Sequence, residues 1–160
     1  MERAIDPTGG PPTKEAQWYA SKADKLFREA LIAAGFKDGK VASLGGWKCY
    51  ITNVIKEADY AGRWNQSDQQ RHDDAADIWS GVLGWELETV KPKLVVAMGN
   101  KVERHLTRLD KAGKINLPAL MKIDHYSYVA FRPRGKLGPM HPDRVRDYLE
   151  SIRRVSLRLI

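Results

Sequence analysis

The feature that most constrains the fold is a continuous apolar run, Leu94–Met98, with a chain breaker on each side. Pro92 precedes the run and Gly99 follows it, so the segment is too short for an ordinary helix and is typical of a buried strand. Because its apolar residues do not alternate with polar ones, both faces of the strand need covering, as in a parallel sheet between helices. The run therefore predicts a layered α/β fold.

The rest of the chain alternates helical patterns with short strand-like runs. Spacing of apolar residues predicts helices over 13–35, from Ser67 towards Val90, over 101–109 and over the last residues. Ser67 and Gln70 resemble a capping box at the start of the second helix. Its predicted buried face carries Ala75, Ile78, Trp79, Val82 and Leu83, and that of the last helix carries Val145, Tyr148, Leu149, Ile152 and Val155. Further strands are predicted at 49–53 and 119–124, with a short extension at 128–131. This order predicts a three-layer α/β/α fold with a central, mostly parallel sheet of about four strands. No repeat or linker interrupts it, so we expect a single domain over residues 1–160.

The composition is that of a globular protein with a basic excess. The chain has 160 residues with 27 Lys and Arg against 20 Asp and Glu, a formal charge of +7. Such an excess favours a polyanionic partner without identifying one. The single cysteine, Cys49, excludes an internal disulfide and any all-cysteine metal or iron–sulfur site. No apolar run approaches the length of about 20 residues that a membrane helix needs.

Polar residues follow the predicted strands at the places where ligands of parallel sheets bind. In such folds the ligand lies beyond the carboxyl ends of the strands. The rule selects Asn53 with its loop, Gly99–Asn100, and His125 with its loop.

Three segments, in order, resemble motifs of the uracil-DNA glycosylase superfamily, especially its family 4 and 5 branches. YITNVIK (50–56) resembles a strand motif of that group, and ETVKPKLVVAMG (88–99) is similar to its second strand and turn. DHYS (124–127) stands where the family has a His-Pro-Ser/Ala motif. The resemblance covers roughly residues 20–155.

The resemblance implies roles for two of the strand-end residues. Asn53 matches the asparagine that recognises the flipped base, and its amide offers the donor and acceptor that the O4 and N3–H edge of uracil requires. His125 matches the histidine that stabilises the departing uracil anion through O2, where charge develops. Without the resemblance, each residue would be interpreted as a polar cap at a strand end. The rival histidine, His141 in a His-Pro pair, precedes a predicted helix and is interpreted as a cap residue.

DNA contacts are implied for the loop that follows the histidine. Ser127 would touch a phosphate, and Arg132, Arg134 and Lys136 lie in a Gly/Pro-rich loop that in the family enters the minor groove. Lys56 is expected on the same DNA-facing side. The alternative for each of these residues is an ordinary solvated position.

The first family motif is where the sequence departs. It should supply an acidic or polar residue that orients water, and Glu2 and Asp6 are the two candidates. Trp18 and Tyr19 are the nearest aromatic residues for stacking on the base, and Tyr126 replaces the motif proline. Either the first strand is missing from this chain or this part of the site is built from elsewhere.

These observations predict a monofunctional DNA glycosylase that flips uracil or another modified pyrimidine out of duplex or single-stranded DNA and hydrolyses its glycosidic bond. We expect no cofactor and no metal, a monomer, and a soluble cytoplasmic protein of bacterial, archaeal or phage type without a membrane partner. His72, Asp73, Asp74 and Asp77 resemble a metal-binding cluster. They lie at the start of a predicted helix, where the helix dipole favours acidic residues, so we interpret them as helix-start residues. Two alternatives stay open: a glycosylase-fold module that binds modified or single-stranded DNA without catalysis, and an α/β enzyme that acts on a free nucleotide or small phosphorylated substrate.

Overall fold

A computed structural model describes residues 21–43, 45–56 and 68–159. The described residues cluster into two compact units, one within 51–122 and the other made of residues up to 50 together with 123–159. In chain order the elements are α1 (Lys22–Ala33), α2 (Gln69–Val90), β1 (Leu94–Met98), α3 (Asn100–Lys111), β2 (Ala119–Ile123), α4 (Tyr126–Phe131) and α5 (Pro142–Leu157). The expectation of one domain over 1–160 stays a prediction.

The first unit contains the strand that the sequence predicts most directly. β1 forms at Leu94–Met98 and pairs with β2 in a parallel two-stranded sheet, while α3 packs against β1. Its buried core consists of Ala76, Leu83, Ala97, Leu106, Leu109 and Ile115. The α/β class is therefore confirmed, although the described residues form two strands rather than about four.

The prediction of a strand at 49–53 is wrong. Residues 50–56 have no strand pairing, and the nearest ladder contact is a single antiparallel bridge between Lys37 and Trp47. Val54 and Ile55 pack against the core of the first unit, whereas Ile51 is exposed. Val54 and Ile55, which follow the predicted strand, thus anchor a loop, and no strand of the described residues pairs with 49–53.

The predicted strand extension at 128–131 is also wrong, because these residues belong to α4. The side chain of His125 caps this helix by accepting a hydrogen bond from the backbone N–H of Ser127. Such a cap satisfies one of the free N–H groups of a helical first turn, so it stabilises a helix where β-propensity alone favours a strand.

Helix α2 begins one residue later than predicted. Asp68 is the N-cap and its side chain accepts from the backbone N–H of Arg71 at 2.8 Å; Ser67, the predicted cap, lies outside the described residues. Ala75 and Leu83 are buried as predicted, but Ile78 is 73% exposed and Val82 is 40% exposed, so the predicted places of these two residues on the buried face are wrong.

The buried face of α2 is shifted because it carries polar side chains that bind α3. Asp73 lies 3.0 Å from Nη2 of Arg104, and Asp77 lies 2.9 Å from Nη1 of Arg108. Reaching these partners turns His72 and the neighbouring small residues inwards. Hydropathy periodicity alone does not register such ion pairs.

The second unit is helical. α1 packs against α4 and α5, and α4 packs against α5. On α5, Tyr148, Ile152 and Val155 are buried as predicted, while Val145 and Leu149 are half-buried. Within the described ranges, no helix combines the length and the apolar character that crossing a bilayer demands.

The loop after α1 closes around a buried lysine. Lys37 is 1% exposed, and its Nζ donates to the carbonyl oxygens of Gly45 at 2.6 Å and Asp38 at 3.1 Å. The ammonium also lies 4.9 Å from the centroid of the Trp47 ring. Gly46 completes the turn with φ of +82°, a conformation that favours glycine.

Candidate active site

His125 is held at the start of α4 by its own neighbour. Nδ1 accepts from the backbone N–H of Ser127 at 3.2 Å, and the Ser127 hydroxyl oxygen lies 2.6 Å from the same nitrogen. A ring nitrogen that accepts from a backbone N–H carries no proton, so the proton of the neutral imidazole lies on Nε2. The Ser127 hydroxyl then donates to Nδ1 as well. The arrangement makes Nε2–H a hydrogen-bond donor.

The orientation of the imidazole is supported by stacked rings. The rings of His125 and Tyr126 stack with centroids 4.3 Å apart, and Tyr126 stacks on Phe27 of α1 at 4.8 Å with only 12° between their planes. Tyr126 is the residue that replaces the proline of the family motif. Here its ring links the histidine to α1, and stacked aromatic contacts of this kind stabilise a defined orientation.

The charge state of His125 follows from its surroundings. Burial lowers the pKa of His125 below its ordinary value of 6.5, because a desolvated site disfavours the imidazolium, while the carboxylate of Asp24 acts in the opposite direction. Asp24 lies in the first turn of α1 and accepts from the Ser21 hydroxyl at 2.6 Å. The lowered pKa favours the neutral imidazole near pH 7.

Asp24 is a residue that sequence reasoning missed. In the sequence it is an ordinary acid in a helical first turn, where the helix dipole explains it. Only the packing of α1 against α4 brings its charge to bear on the histidine.

The loop after α4 is an ordered turn that carries exposed cations. Arg134 and Leu137 exchange backbone hydrogen bonds of 2.9 and 3.1 Å, and Gly135 turns the chain with φ of +59°. The side chains of Arg132, Arg134 and Lys136 are exposed. Arg134 lies 3.7 Å from Asp124, a weak contact between solvent-exposed groups.

Asn53 lies in the first unit, on an exposed stretch of loop that is held from both sides. Before it, the Thr52 hydroxyl donates to Glu86 of α2 at 3.0 Å; after it, Nζ of Lys56 lies 2.6 Å from the same carboxylate. The side chains of Lys56 and Glu86 are only 15% and 11% exposed. The ion pair thus engages a lysine that the sequence places among the DNA contacts.

The predicted site residues that the structure describes are divided between the two units. His125, Ser127 and the three cations of the loop belong to the second unit, whereas Asn53 and Lys56 belong to the first. His141 caps α5 by accepting from the backbone N–H of Asp143 at 3.3 Å, as its sequence position indicates. The candidates of the first motif and of base stacking lie outside the described residues: Glu2, Asp6, Trp18 and Tyr19. Trp64 is likewise outside them.

Two acidic residues near the start of α2 pair with cations of their own chain. Asp77 contacts Arg108 and also Nζ of Lys114 at 3.0 Å, and Asp73 contacts Arg104. In the part of the chain that the structure describes, no three His, Cys, Asp or Glu side chains are grouped so as to hold a metal ion.

Comparison with known proteins identifies the family. The model of the uracil DNA glycosylase superfamily matches residues 7–153, most of the chain. Comparisons with curated proteins and with solved structures give no match. The matched span includes His125 at the start of α4, the loop 132–138 with its three cations (the basic loop) and the loop around Asn53 (the asparagine loop). The chain belongs to the uracil DNA glycosylase superfamily.

Proposed function

We propose that this protein flips uracil or another modified pyrimidine out of DNA and hydrolyses its N-glycosidic bond, leaving an abasic site. Membership of the superfamily supports a function of the DNA glycosylase type with DNA as substrate. The observation that carries the proposal is the neutral His125, whose Nδ1 accepts from Ser127 so that Nε2–H is left as a donor.

Cleavage of the glycosidic bond places negative charge on the base and positive charge on the sugar. A fixed donor at O2 of the base lowers the energy of this transition state, because it acts where charge develops and needs no reorganisation. Nε2–H of His125 has the required chemistry, and the stack on Tyr126 limits the freedom of the ring. Water then adds to the anomeric carbon, and the proton that it loses passes to the departed base anion, so that the products are a neutral base and an abasic sugar. Following the family pattern, we assign the orientation of that water to a carboxylate from the N-terminal segment, Glu2 or Asp6.

Recognition of the base is assigned to Asn53. Its amide carries one acceptor and two donors, which suits the O4 and N3–H edge of uracil. The clamp that Glu86 forms with Thr52 and Lys56 supports this role, because it holds the loop on both sides of the asparagine. Stacking on the flipped base is assigned to Trp18 or Tyr19.

We assign binding of the DNA backbone to the second unit. The exposed side chains of Arg132, Arg134 and Lys136 supply cations for phosphates. Ser127 is also assigned to a phosphate, and its hydroxyl would exchange the bond to Nδ1 of His125 for this contact, because it has one proton to donate. We assign Lys56 a weaker contribution to DNA binding, because its ion pair with Glu86 offsets its positive charge.

The test is release of base from end-labelled oligonucleotides that contain uracil or hydroxymethyluracil, in single strands and in duplexes. We expect release by the unmodified chain and a loss of about 10²- to 10³-fold in His125→Gln, the effect of removing one transition-state donor. His141→Gln is the matched control, since His141 has the same kind of cap bond but lies at α5, and it should retain activity.

Two other outcomes would replace the proposal by its alternatives. Binding of modified DNA without release of any base would indicate a binding module. Competition by free nucleotide, but not by DNA, would indicate an enzyme of small phosphorylated substrates.

A further inference from the structure

Arg144 is a buried arginine near the start of α5 whose bonds all go to main-chain oxygens. The residue is 5% exposed. Its guanidinium donates to the carbonyl oxygens of Tyr128 at 3.0 Å and Gly138 at 3.1 Å, and to that of Arg132. It also lies 5.5 Å from the centroid of the Tyr128 ring.

These three carbonyls mark the places where the basic loop is attached to the protein. Tyr128 lies in α4, Arg132 is the residue that ends α4, and Gly138 closes the loop. A single side chain thus joins the helix that His125 caps to both ends of the segment 132–138. The loop is further tied to α4 by the hydrogen bond from the backbone N–H of Met140 to the Val129 carbonyl, at 3.1 Å.

The chemistry of this contact requires arginine. A guanidinium presents several donors in a planar fork, whereas an ammonium is a compact charge on a flexible stem. Among the residues the structure describes, no carboxylate pairs with Arg144, so its charge is compensated by carbonyl dipoles and the face of the Tyr128 ring. Burying a cation costs free energy unless it is well hydrogen-bonded. The arrangement therefore ties the buried charge to the closed form of the loop.

We propose that Arg144 is a positioning residue that holds the loop 132–138 closed against α4, so that Arg132, Arg134 and Lys136 meet the DNA backbone as a pre-ordered set. The inference rests on the proposed function, because it assigns these three cations to DNA. A loop that is ordered before binding avoids paying the entropy of ordering when DNA arrives. Phosphate contacts of this kind set the register of a protein on the duplex.

The test compares Arg144→Lys and Arg144→Gln with Arg146→Gln. Arg146 lies on the same helix, is exposed and pairs with Asp143 at 3.0 Å, so its replacement removes one positive charge without touching the loop. Hydrogen exchange at the amides of Arg132 and Met140, which donate to the α4 carbonyls of Tyr128 and Val129, reports loop closure against α4. Fluorescence anisotropy with a uracil-containing duplex at several salt concentrations reports DNA binding.

Both Arg144 variants should exchange faster at these two amides. Their binding should weaken about tenfold, with a shallower dependence on salt, because fewer phosphates are neutralised together. Arg146→Gln should keep slow exchange and change the slope of log Kd against log salt by about one at most.

A second set of variants keeps the test independent of any folding defect in Arg144→Gln. Arg132, Arg134 and Lys136 are replaced together by Gln, in the natural background and with Arg144→Lys. If Arg144 acts through these cations, the two changes should be strongly non-additive, since the second removes contacts that the first has already weakened.

Wild-type affinity and salt dependence in Arg144→Lys, or additive effects in the combined variant, would overturn the inference while leaving the proposed function intact. Unchanged exchange at Arg132 and Met140 would overturn it as well. Failure of the unmodified chain to bind any DNA would instead defeat the proposed function, and the role of Arg144 with it.

Discussion

The backbone N–H of Ser127 and Nδ1 of His125 lie 3.2 Å apart, and this bond determines which nitrogen of the imidazole carries the proton. The same bond caps α4. The hydrogen bond that caps the start of α4 is therefore the same bond that leaves the proton of the neutral imidazole on Nε2. Protonation at Nδ1 would break the cap and alter the donor together.

Ser127→Ala should raise the pKa of His125, because the lost hydroxyl donates to Nδ1 only while the imidazole is neutral. The acid limb of the pH–activity profile should then move to higher pH. Activity at neutral pH should fall about threefold to tenfold, the value of one hydrogen bond. Base release measured between pH 5 and 8 tests this. Ser156→Ala is the control, since its hydroxyl bonds only to Arg153 in the last turn of α5; an unmoved acid limb in Ser127→Ala would contradict the assignment.

Asp24→Asn should shift the profile in the opposite direction. The Asp24 carboxylate favours the imidazolium of His125, so its neutralisation should lower the pKa of the histidine further and extend activity towards acid pH. The titration of His125 followed by proton NMR measures this directly. Glu29→Gln removes an exposed carboxylate from the same helix and should leave the titration unchanged; a shift of equal size there would point to a general charge effect.

Glu86→Gln should destabilise the first unit and loosen the asparagine loop. The change leaves Lys56 without its anionic partner in a site that is 15% exposed, at a cost of about 1–3 kcal/mol. Urea unfolding measures the loss, and Glu88→Gln, an exposed change on the same helix, should be neutral.

The double variant Glu86→Gln with Lys56→Met should recover part of the lost stability, since it removes the unpaired charge. Stability that falls further in the double variant would show that the ion pair is not the cause.

The stability of the first unit should fall as the pH is lowered through the titration of His105. Burial and the neighbouring Arg104 lower the pKa of this histidine below 6.5, despite the Asp73 carboxylate 3.3 Å from Nδ1. Between the lowered folded value and 6.5, the unfolded chain binds more protons than the folded chain, so the free energy of unfolding decreases with falling pH.

His105→Gln should reduce this slope in urea unfolding between pH 7 and 5. His141→Gln serves as the control. A slope that is as steep in His105→Gln as in the natural chain would exclude His105 as its source.

Gly46→Ala and Gly45→Ala should differ although the residues are adjacent. At Gly46, φ is +82° and an added Cβ would lie 2.6 Å from the carbonyl oxygen of Asp38, whereas at Gly45 nothing lies within 4 Å. We expect a loss of about 1–3 kcal/mol for Gly46→Ala and less than about 0.5 kcal/mol for Gly45→Ala. Thermal unfolding measures both. Equal stability of the two variants would contradict the described turn around Lys37.

The elements that sequence reasoning located correctly are those that local signals determine. β1 is bounded by Pro92 and Gly99, and its apolar run leaves no other place for it. The cap role of His141 follows from the proline after it, at the first position of α5. Such features depend on neighbours in the chain, so periodicity and turn chemistry suffice.

The features that sequence reasoning missed depend on partners distant in the chain. The 49–53 segment has the composition of a strand, yet Tyr50 and Ile51 are exposed, and it is Val54 and Ile55 after it that anchor a loop. Ile78 is exposed because Asp73 and Asp77 turn α2 towards α3. Asp24 and Arg144 look like ordinary helix charges until α1 and α5 pack against α4. Their importance arises from tertiary contacts that a single sequence does not display.

The stack of Tyr126 on His125 also gives the site its own spectroscopic reporter. Protons above the face of an aromatic ring are magnetically shielded by its ring current, and the imidazole lies with its centroid 4.3 Å from that of Tyr126. The carbon-bound protons of His125 should therefore resonate upfield of those of an unstacked histidine. The chain has four histidines, so one displaced signal can be followed without labelling. Arrival of a flipped base would register as a change in that signal before any bond is broken.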